Sequence, residues 1–310
     1  MIRILGTIFA GLLGLVFGSF LNVCLSRWPE GESIVSPRSH CRNCAHTLAW
    51  WENIPLLSWL ALRGRCRKCK SRISWRYPLV ELAIAVLWAI SAWQTFRGWQ
   101  GLTALLYPEH AAQNVVNTAF SLARKMIVCW LLVALAALDF EYFWLPDLLT
   151  LTGAALGFVF NLLHFGLQWI LASPIPALMH DGEMRSLRHS ISILVLRWLL
   201  GLVAAPALIL LIRWIYQLIR HSEGIGLGDV KLMLLLGAWL GLPALLAFAL
   251  GAVLGALAAL VVLFVPNARR DSETWAASKL PLGTFLCIGG IVSALWGLPM
   301  IGAYLRWSGF

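Results

Sequence analysis

Long uninterrupted apolar runs constrain this chain more than any other feature. They fall at about residues 4 to 25, 79 to 97, 119 to 138, 148 to 171, 191 to 219, 230 to 242, 243 to 265 and 281 to 306. Most reach the roughly 17 to 25 residues that a helix needs to cross a hydrocarbon core about 30 Å thick. No soluble fold exposes such segments, and open sheet edges cannot sit in lipid, so the spans must be helices. The 310 residues are 60% hydrophobic and only 12% charged, with a mean hydropathy of +0.79. The expected fold class is therefore an all-α integral membrane protein with about eight transmembrane helices. The sixth span is short, and its boundary with the seventh near Gly241-Leu242-Pro243 is left open. The first run follows Arg3 but closes on no small-residue cleavage site, so it reads as a permanent span and not a secretory signal.

Orientation follows from the basic residues, because short loops rich in Lys and Arg stay in the cytoplasm. The loop from Leu25 to Pro78 holds ten of them: Arg27, Arg38, Arg42, Arg63, Arg65, Arg67, Lys68, Lys70, Arg72 and Arg76. Counting onward puts residues 139 to 147, 220 to 229 and 266 to 280 on the same side, the last with Arg269, Arg270 and Lys279, and leaves both ends on the opposite face. The net charge of +10 then reads as topology and contact with anionic lipid headgroups. Nucleic acid is not an expected partner, since no stacking platform accompanies the charge. Three divisions result: residues 1-25 as a first span, 26-78 as a cytoplasmic loop, and 79-310 as a polytopic domain.

The loop carries Cys41-Arg-Asn-Cys44 and Cys66-Arg-Lys-Cys69, with 21 residues between the pairs. Two residues between cysteines let both sulfurs of a knuckle face one point, and two knuckles complete a tetrahedral four-sulfur shell suited to structural zinc. Disulfides are the competing reading, but a reducing cytosol disfavours them. Arg42, Arg65, Arg67, Lys68 and Lys70 are placed to offset thiolate charge. Cys24, Cys129 and Cys287 lie alone in apolar spans and read as small buried hydrophobes.

Acids are scarce, which makes their positions informative. Asp139 closes an apolar run at the C-terminal end of a span, where the helix dipole disfavours negative charge, so capping of its own helix does not explain it. Asp147 follows Pro146 and opens the next helix, as a cap or as a catalytic acid. Asp229 lies in Gly224-Ile-Gly226-Leu-Gly228-Asp229-Val230-Lys231, whose glycines permit close backbone approach. As a bare pattern that string also fits a helix cap; a phosphate loop would need a preceding strand and Gly-Lys-Ser/Thr. The topology count puts Asp139 and Asp229 on one membrane face although they are 90 residues apart in the chain. Two carboxylates about 3 Å apart cannot easily both ionise, so one holds a proton while the other activates water against a peptide carbonyl. Helix-end position biases Asp139 toward the protonated role and Asp229 toward the ionised one.

These residues resemble the type IV prepilin peptidases, the bifunctional leader peptidases and N-methyltransferases of pilus and type II secretion systems. The resemblance covers nearly the whole chain. Its matching stretches are Gly18-Ser19-Phe20-Leu21-Asn22-Val23, the double CxxC loop, Asn53-Ile54-Pro55-Leu56-Leu57-Ser58-Trp59, Tyr77-Pro78-Leu79-Val80-Glu81, Leu138-Asp139 through Leu145-Pro146-Asp147, and Gly226-Leu227-Gly228-Asp229-Val230-Lys231. It implies a bacterial inner-membrane enzyme that cuts the basic leader of prepilins or pseudopilins after a glycine. It also implies methylation of the new N-terminal amine, usually on phenylalanine, from S-adenosylmethionine. The family's catalytic aspartates map onto Asp139 and Asp229 and its cysteine tetrad onto Cys41, Cys44, Cys66 and Cys69, with Asp147, Gly226, Gly228 and Lys231 as supporting residues. No nucleotide-binding glycine loop is present, so the methyl-donor site must be built from the first loop and nearby helix ends. Asn22, Glu52 and Glu81 are its candidate polar groups; Asn22 also reads as a helix-packing residue and Glu81 as a helix-dipole partner.

A basic leader would be repelled by the basic loop, so its contacts fall to Glu52, Glu81, Asp147 or the lipid surface. The chain departs from the family at Pro281-Leu282-Gly283-Thr284-Phe285-Leu286, where relatives carry a Pro-Phe-Gly-Pro-Phe-Leu-like string, and in a longer connection over 173 to 190. Rival readings are a peptidase without methyl transfer and a non-enzymatic membrane assembly or transport protein with a zinc docking loop. Sequence is silent on oligomeric state.

Overall fold

The computed structural model describes residues 2–97, 108–171, 181–221, 226–264 and 280–309. The basic loop residues Arg269, Arg270 and Lys279, Gly224, and segments 98–107 and 172–180 lie outside the described residues. Among the described residues there are no strands, and seven helices are long and apolar enough to cross a membrane. The chain is thus an all-α, multi-pass membrane protein. Large apolar side chains on the spans stand exposed, Phe9 at 67% and Ile170 at 67% among them. In water such surfaces would drive aggregation; in a bilayer they meet lipid.

The chain divides into two compact units. The first holds α1 (Ile2–Arg27), the cysteine loop with the short α2 (Leu57–Ala61), α3 (Arg76–Arg97), and residues 121–134 of α4 (Pro108–Tyr142). Helices α1 and α3 pack along a seam of small residues. A Cβ on Gly14 would sit 2.7 Å from Ala85 Cα, and one on Gly18 2.7 Å from Glu81 Cα. Only glycine lets the two backbones approach so closely, and in lipid that contact replaces the hydrophobic drive that water would supply. Trp88 Nε1 donates to Met126 O at 2.9 Å and Trp130 Nε1 to Phe17 O at 3.1 Å, so the buried Trp88 and the half-buried Trp130 both find backbone acceptors.

The second unit holds the rest of α4, α5 (Asp147–Leu171), α6 (Asp181–Arg220), α7 (Leu227–Leu240), α8 (Pro243–Phe264) and α9 (Leu282–Ser308). At 14 residues, α7 is the short sixth run of the sequence and is about 21 Å long, less than a full bilayer core. Apolar on all sides, it buries Leu232, Met233, Leu235, Leu236, Ala238 and Trp239. Ala238 O accepts from Trp198 Nε1 at 2.8 Å and Asn161 Nδ2 at 2.9 Å, and Trp239 Nε1 donates to Gly153 O at 2.8 Å. These bonds pin α7 to α5 and α6 from both flanks. The boundary left open in the sequence falls at Gly241, whose φ of +67° ends α7 before Pro243 starts α8.

Candidate functional site

The four cysteines converge. All four Sγ atoms lie within 4.8 Å of one another, with Cys41 to Cys69 at 3.8 Å and Cys44 to Cys66 at 3.9 Å. A tetrahedral zinc with Zn–S bonds of about 2.3 Å separates its sulfurs by roughly 3.8 Å. A disulfide would need about 2.05 Å, and all seven cysteines are free.

The two knuckles repeat one local design. In the first, Cys41 N–H donates to His46 O and Ala45 N–H to Cys41 O; in the second, Cys66 N–H donates to Ser71 O and Lys70 N–H to Cys66 O. The residue after each second cysteine turns left-handed, Ala45 at φ +54° and Lys70 at φ +59°, and an antiparallel bridge flanks each knuckle, His40 with Thr47 and Arg65 with Arg72. Hydrogen bonds from the Ser71 hydroxyl, the Ser71 N–H and the Asn43 amide bring Cys69 down to about 5. Although the His46 N–H donates to Cys44, burial and the neighbouring Cys69, Cys41 and Cys66 push it up to about 11. Four thiolates cannot share this space without a cation, which is the chemistry of a zinc site. Arg42 does not supply that charge: it pairs with Glu30 and, at 3.6 Å, with Glu32.

Beside the knuckles, a cavity of about 510 Å³ is lined by Asn22, Ser26, Glu52, Tyr77 and Glu81, among others. Asn22, 1% exposed, donates from Nδ2 to Tyr77 O at 2.9 Å, the helix-packing bond expected of it, yet its Oδ1 accepts nothing among the described residues. Glu52, 5% exposed, accepts at Oε2 from Ala49 N–H at 2.8 Å and meets His46 Nε2 at 3.3 Å, while Oε1 is without a partner. The Ala49 N–H holds Glu52 below the usual carboxylate range. Glu81 is engaged differently. Well inside α3 and away from its first turn, it accepts from Leu56 N–H at 2.8 Å and from the Ser19 hydroxyl, and so clasps the loop where Leu56 is forced to φ +58°. Its expected role as a helix-dipole partner is not what the structure shows.

In the second unit, Asp139 on the last turns of α4 is 7% exposed. Its Oδ2 accepts from Thr284 N–H at 2.6 Å and lies 3.0 Å from Thr284 Oγ1, which also reaches Ala136 O at 3.2 Å. Asp139 therefore meets the N-terminal turn of α9, whose dipole offsets the unfavourable end of its own helix. Sequence reasoning noticed the departure at Thr284 but not this contact; proline, lacking an N–H, could not make it.

Asp229 sits in the first turn of α7 and accepts from the N–H of Gly226, the residue that caps that helix. Leu145 joins the two acids' surroundings: its Cδ1 lies 2.9 Å from where a Cβ on Gly283 would stand and 3.3 Å from one on Gly228. The Gly283 position is also 2.9 Å from Asp139 Oδ2, so a side chain there would press on the carboxylate. Burial, and behind it the Asp139 carboxylate, push Asp229 up to about 6. Cys287 on α9 lies within electrostatic reach of both. Asp147 opens α5 and is bonded to Lys231 Nζ at 2.5 Å, with 63% of its side chain exposed.

Comparison with known proteins matches residues 12–95 to the bacterial peptidase A24 N-terminal domain and residues 126–263 to the type IV leader peptidase family. Among curated proteins, the chain is 33% identical to a prepilin leader peptidase/N-methyltransferase of Pseudomonas putida, over 97% of this chain and 94% of that protein. It is 33% identical to the protein of that name in Pseudomonas aeruginosa, covering 96% and 93%. A third of that name, from Burkholderia pseudomallei, is 36% identical over 94% and 85%. No solved structure matches the chain.

Proposed function

Because the chain belongs to the type IV leader peptidase family, we propose that it cuts the basic leader from prepilins or pseudopilins in the bacterial inner membrane and then methylates the exposed N-terminal amine. Asp139 and Asp229 are the peptidase pair, and the observation that supports this reading is a buried acid at one helix end whose charge helps raise a half-buried acid at another, 90 residues apart in the chain and both beside positions that Leu145 packs against. The helix ends favour a proton on Asp139, while the Thr284 hydrogen bonds to Asp139 and the rise of Asp229 to about 6 favour one on Asp229; the second arrangement is the one adopted for the mechanism.

Asp139 then takes a proton from water as the oxygen attacks the scissile carbonyl, and Asp229 gives its proton to the carbonyl oxygen. Collapse of the tetrahedral diol breaks the C–N bond, with a proton passing to the leaving amine. No covalent intermediate forms. Asp147 and Lys231 support the adjoining helix starts through their ion pair, and Gly226 and Gly228 let α7 begin close to Leu145.

The first loop holds structural zinc through Cys41, Cys44, Cys66 and Cys69 and faces the cytoplasm with its ten basic residues, where anionic lipids meet it. S-adenosylmethionine supplies the methyl group. The cavity lined by Asn22, Glu52 and Glu81 fits that role, since its unsatisfied acceptors call for a ligand rich in N–H and O–H donors. Glu81 already holds Leu56, so Asn22 and Glu52 are the groups left to bind.

Assay of the purified protein on a prepilin-like peptide tests the reading. Asp139→Asn and Asp229→Asn each abolish cleavage, whereas Asp147→Asn only weakens it. Intact cleavage in both variants would leave a membrane assembly or transport role ahead.

A further inference from the structure

Glu52 is unusual among the polar residues of the first unit. Its burial is nearly complete and it lines the cavity; one carboxylate oxygen is held from two sides by Ala49 N–H and His46, and the other is buried with no donor among the described residues. An acid built only to cap the 3₁₀ turn Trp50–Asn53 would need Oε2 alone. Leaving a buried carboxylate oxygen unsatisfied costs about 1 to 3 kcal/mol or more, a cost that a bound donor removes. Of the ligands that methylation requires, the one bearing a charged donor beside the reacting atom is the acceptor's N-terminal ammonium.

We propose that Glu52 Oε1 binds the N-terminal ammonium of the cleaved substrate and takes its proton, so that the neutral amine can attack the methyl group. This rests on the reading of the chain as an N-methyltransferase. The Ala49 N–H favours the Glu52 carboxylate, but away from water the low dielectric penalises both charges of an ammonium and carboxylate pair, which draws the proton toward the carboxylate. The freed nitrogen lone pair forms the N–CH₃ bond while the S–CH₃ bond breaks and its electron pair stays on sulfur. The sulfonium becomes a neutral thioether and the product is a methylammonium. Glu52 returns its proton to solvent, which balances the reaction at one proton released per methyl transferred. Asn22 Oδ1, the second unpartnered acceptor on the same cavity, is left to take an N–H or O–H of the methyl donor.

The test uses the full-length protein in detergent, a prepilin-like peptide and labelled S-adenosylmethionine. A melting curve of each variant reports that it is folded. Glu52→Gln keeps an acceptor for Ala49 but no base. It should lower the methylation rate at saturating donor by about 100-fold or more, a loss that no change in donor affinity accounts for. In Glu52→Ala, added formate should restore part of the lost rate, a response that a purely structural glutamate would not give. Wild-type methylation in Glu52→Gln, or loss confined to donor affinity with no formate rescue, overturns the proposal. Failure of the wild-type protein itself to transfer a methyl group would instead overturn the N-methyltransferase reading beneath it.

Discussion

At the scale of single residues, the contact between Thr284 and Asp139 shapes what the peptidase pair can do. A hydrogen bond to a charged group contributes about 1.5 to 3 kcal/mol, and Thr284 offers a backbone N–H and a hydroxyl within reach of Oδ2. Thr284→Val keeps the N–H and removes the hydroxyl, and is expected to lower kcat for cleavage by about 10-fold with KM little changed. Steady-state kinetics on a leader peptide would read this directly. The proposed mechanism needs one proton held between Asp139 and Asp229, so it predicts that activity is lost once both are ionised. With Asp229 at about 6, kcat/KM for cleavage should fall as pH rises through that region. Asp139→Asn removes the negative neighbour that helps raise Asp229, so the Asp229 titration should then move downward, as seen by infrared or NMR titration of the labelled carboxyl. Lys231→Ala breaks only a largely exposed ion pair and should change stability by less than about 1 kcal/mol.

At the scale of elements, the sequence was legible where one physical rule dominated. Apolar run length gave the helices, and cysteine spacing gave the knuckles down to their convergence on one point. Pairing across long distances was less legible. That Asp139 meets α9 depends on Thr284, 145 residues away, and a helix-end rule applied to α4 alone could only register the position as unfavourable. Glu81 was read as a partner of its own helix end, yet it holds the N–H of Leu56, because a left-handed non-glycine residue in the loop needed a fixed acceptor. The seam of α1 and α3 depends on Gly14 and Gly18, where any side chain meets backbone at 2.7 Å. Gly18→Val should therefore destabilise the first unit by about 1 to 3 kcal/mol, measurable as a lower Tm or faster proteolysis within the cysteine loop. Metal analysis of a Cys41→Ser, Cys66→Ser double variant should show loss of bound zinc, since one thiolate goes from each knuckle.

At the scale of the molecule, the two proposed sites fall in different units: the knuckles and the cavity with Glu52 and Asn22 lie in one, and Asp139, Thr284 and Asp229 in the other. Variants in each should therefore separate leader removal from methyl transfer in a single preparation. The bond from α9 to Asp139 also decides how such variants must be made. Because that carboxylate receives the first turn of a 27-residue helix, replacing it with alanine strips α9 of an anchor as well as the enzyme of a charge, and a dead protein would be ambiguous. Asparagine retains an oxygen for Thr284 to reach, so silence in that variant speaks about reactivity alone.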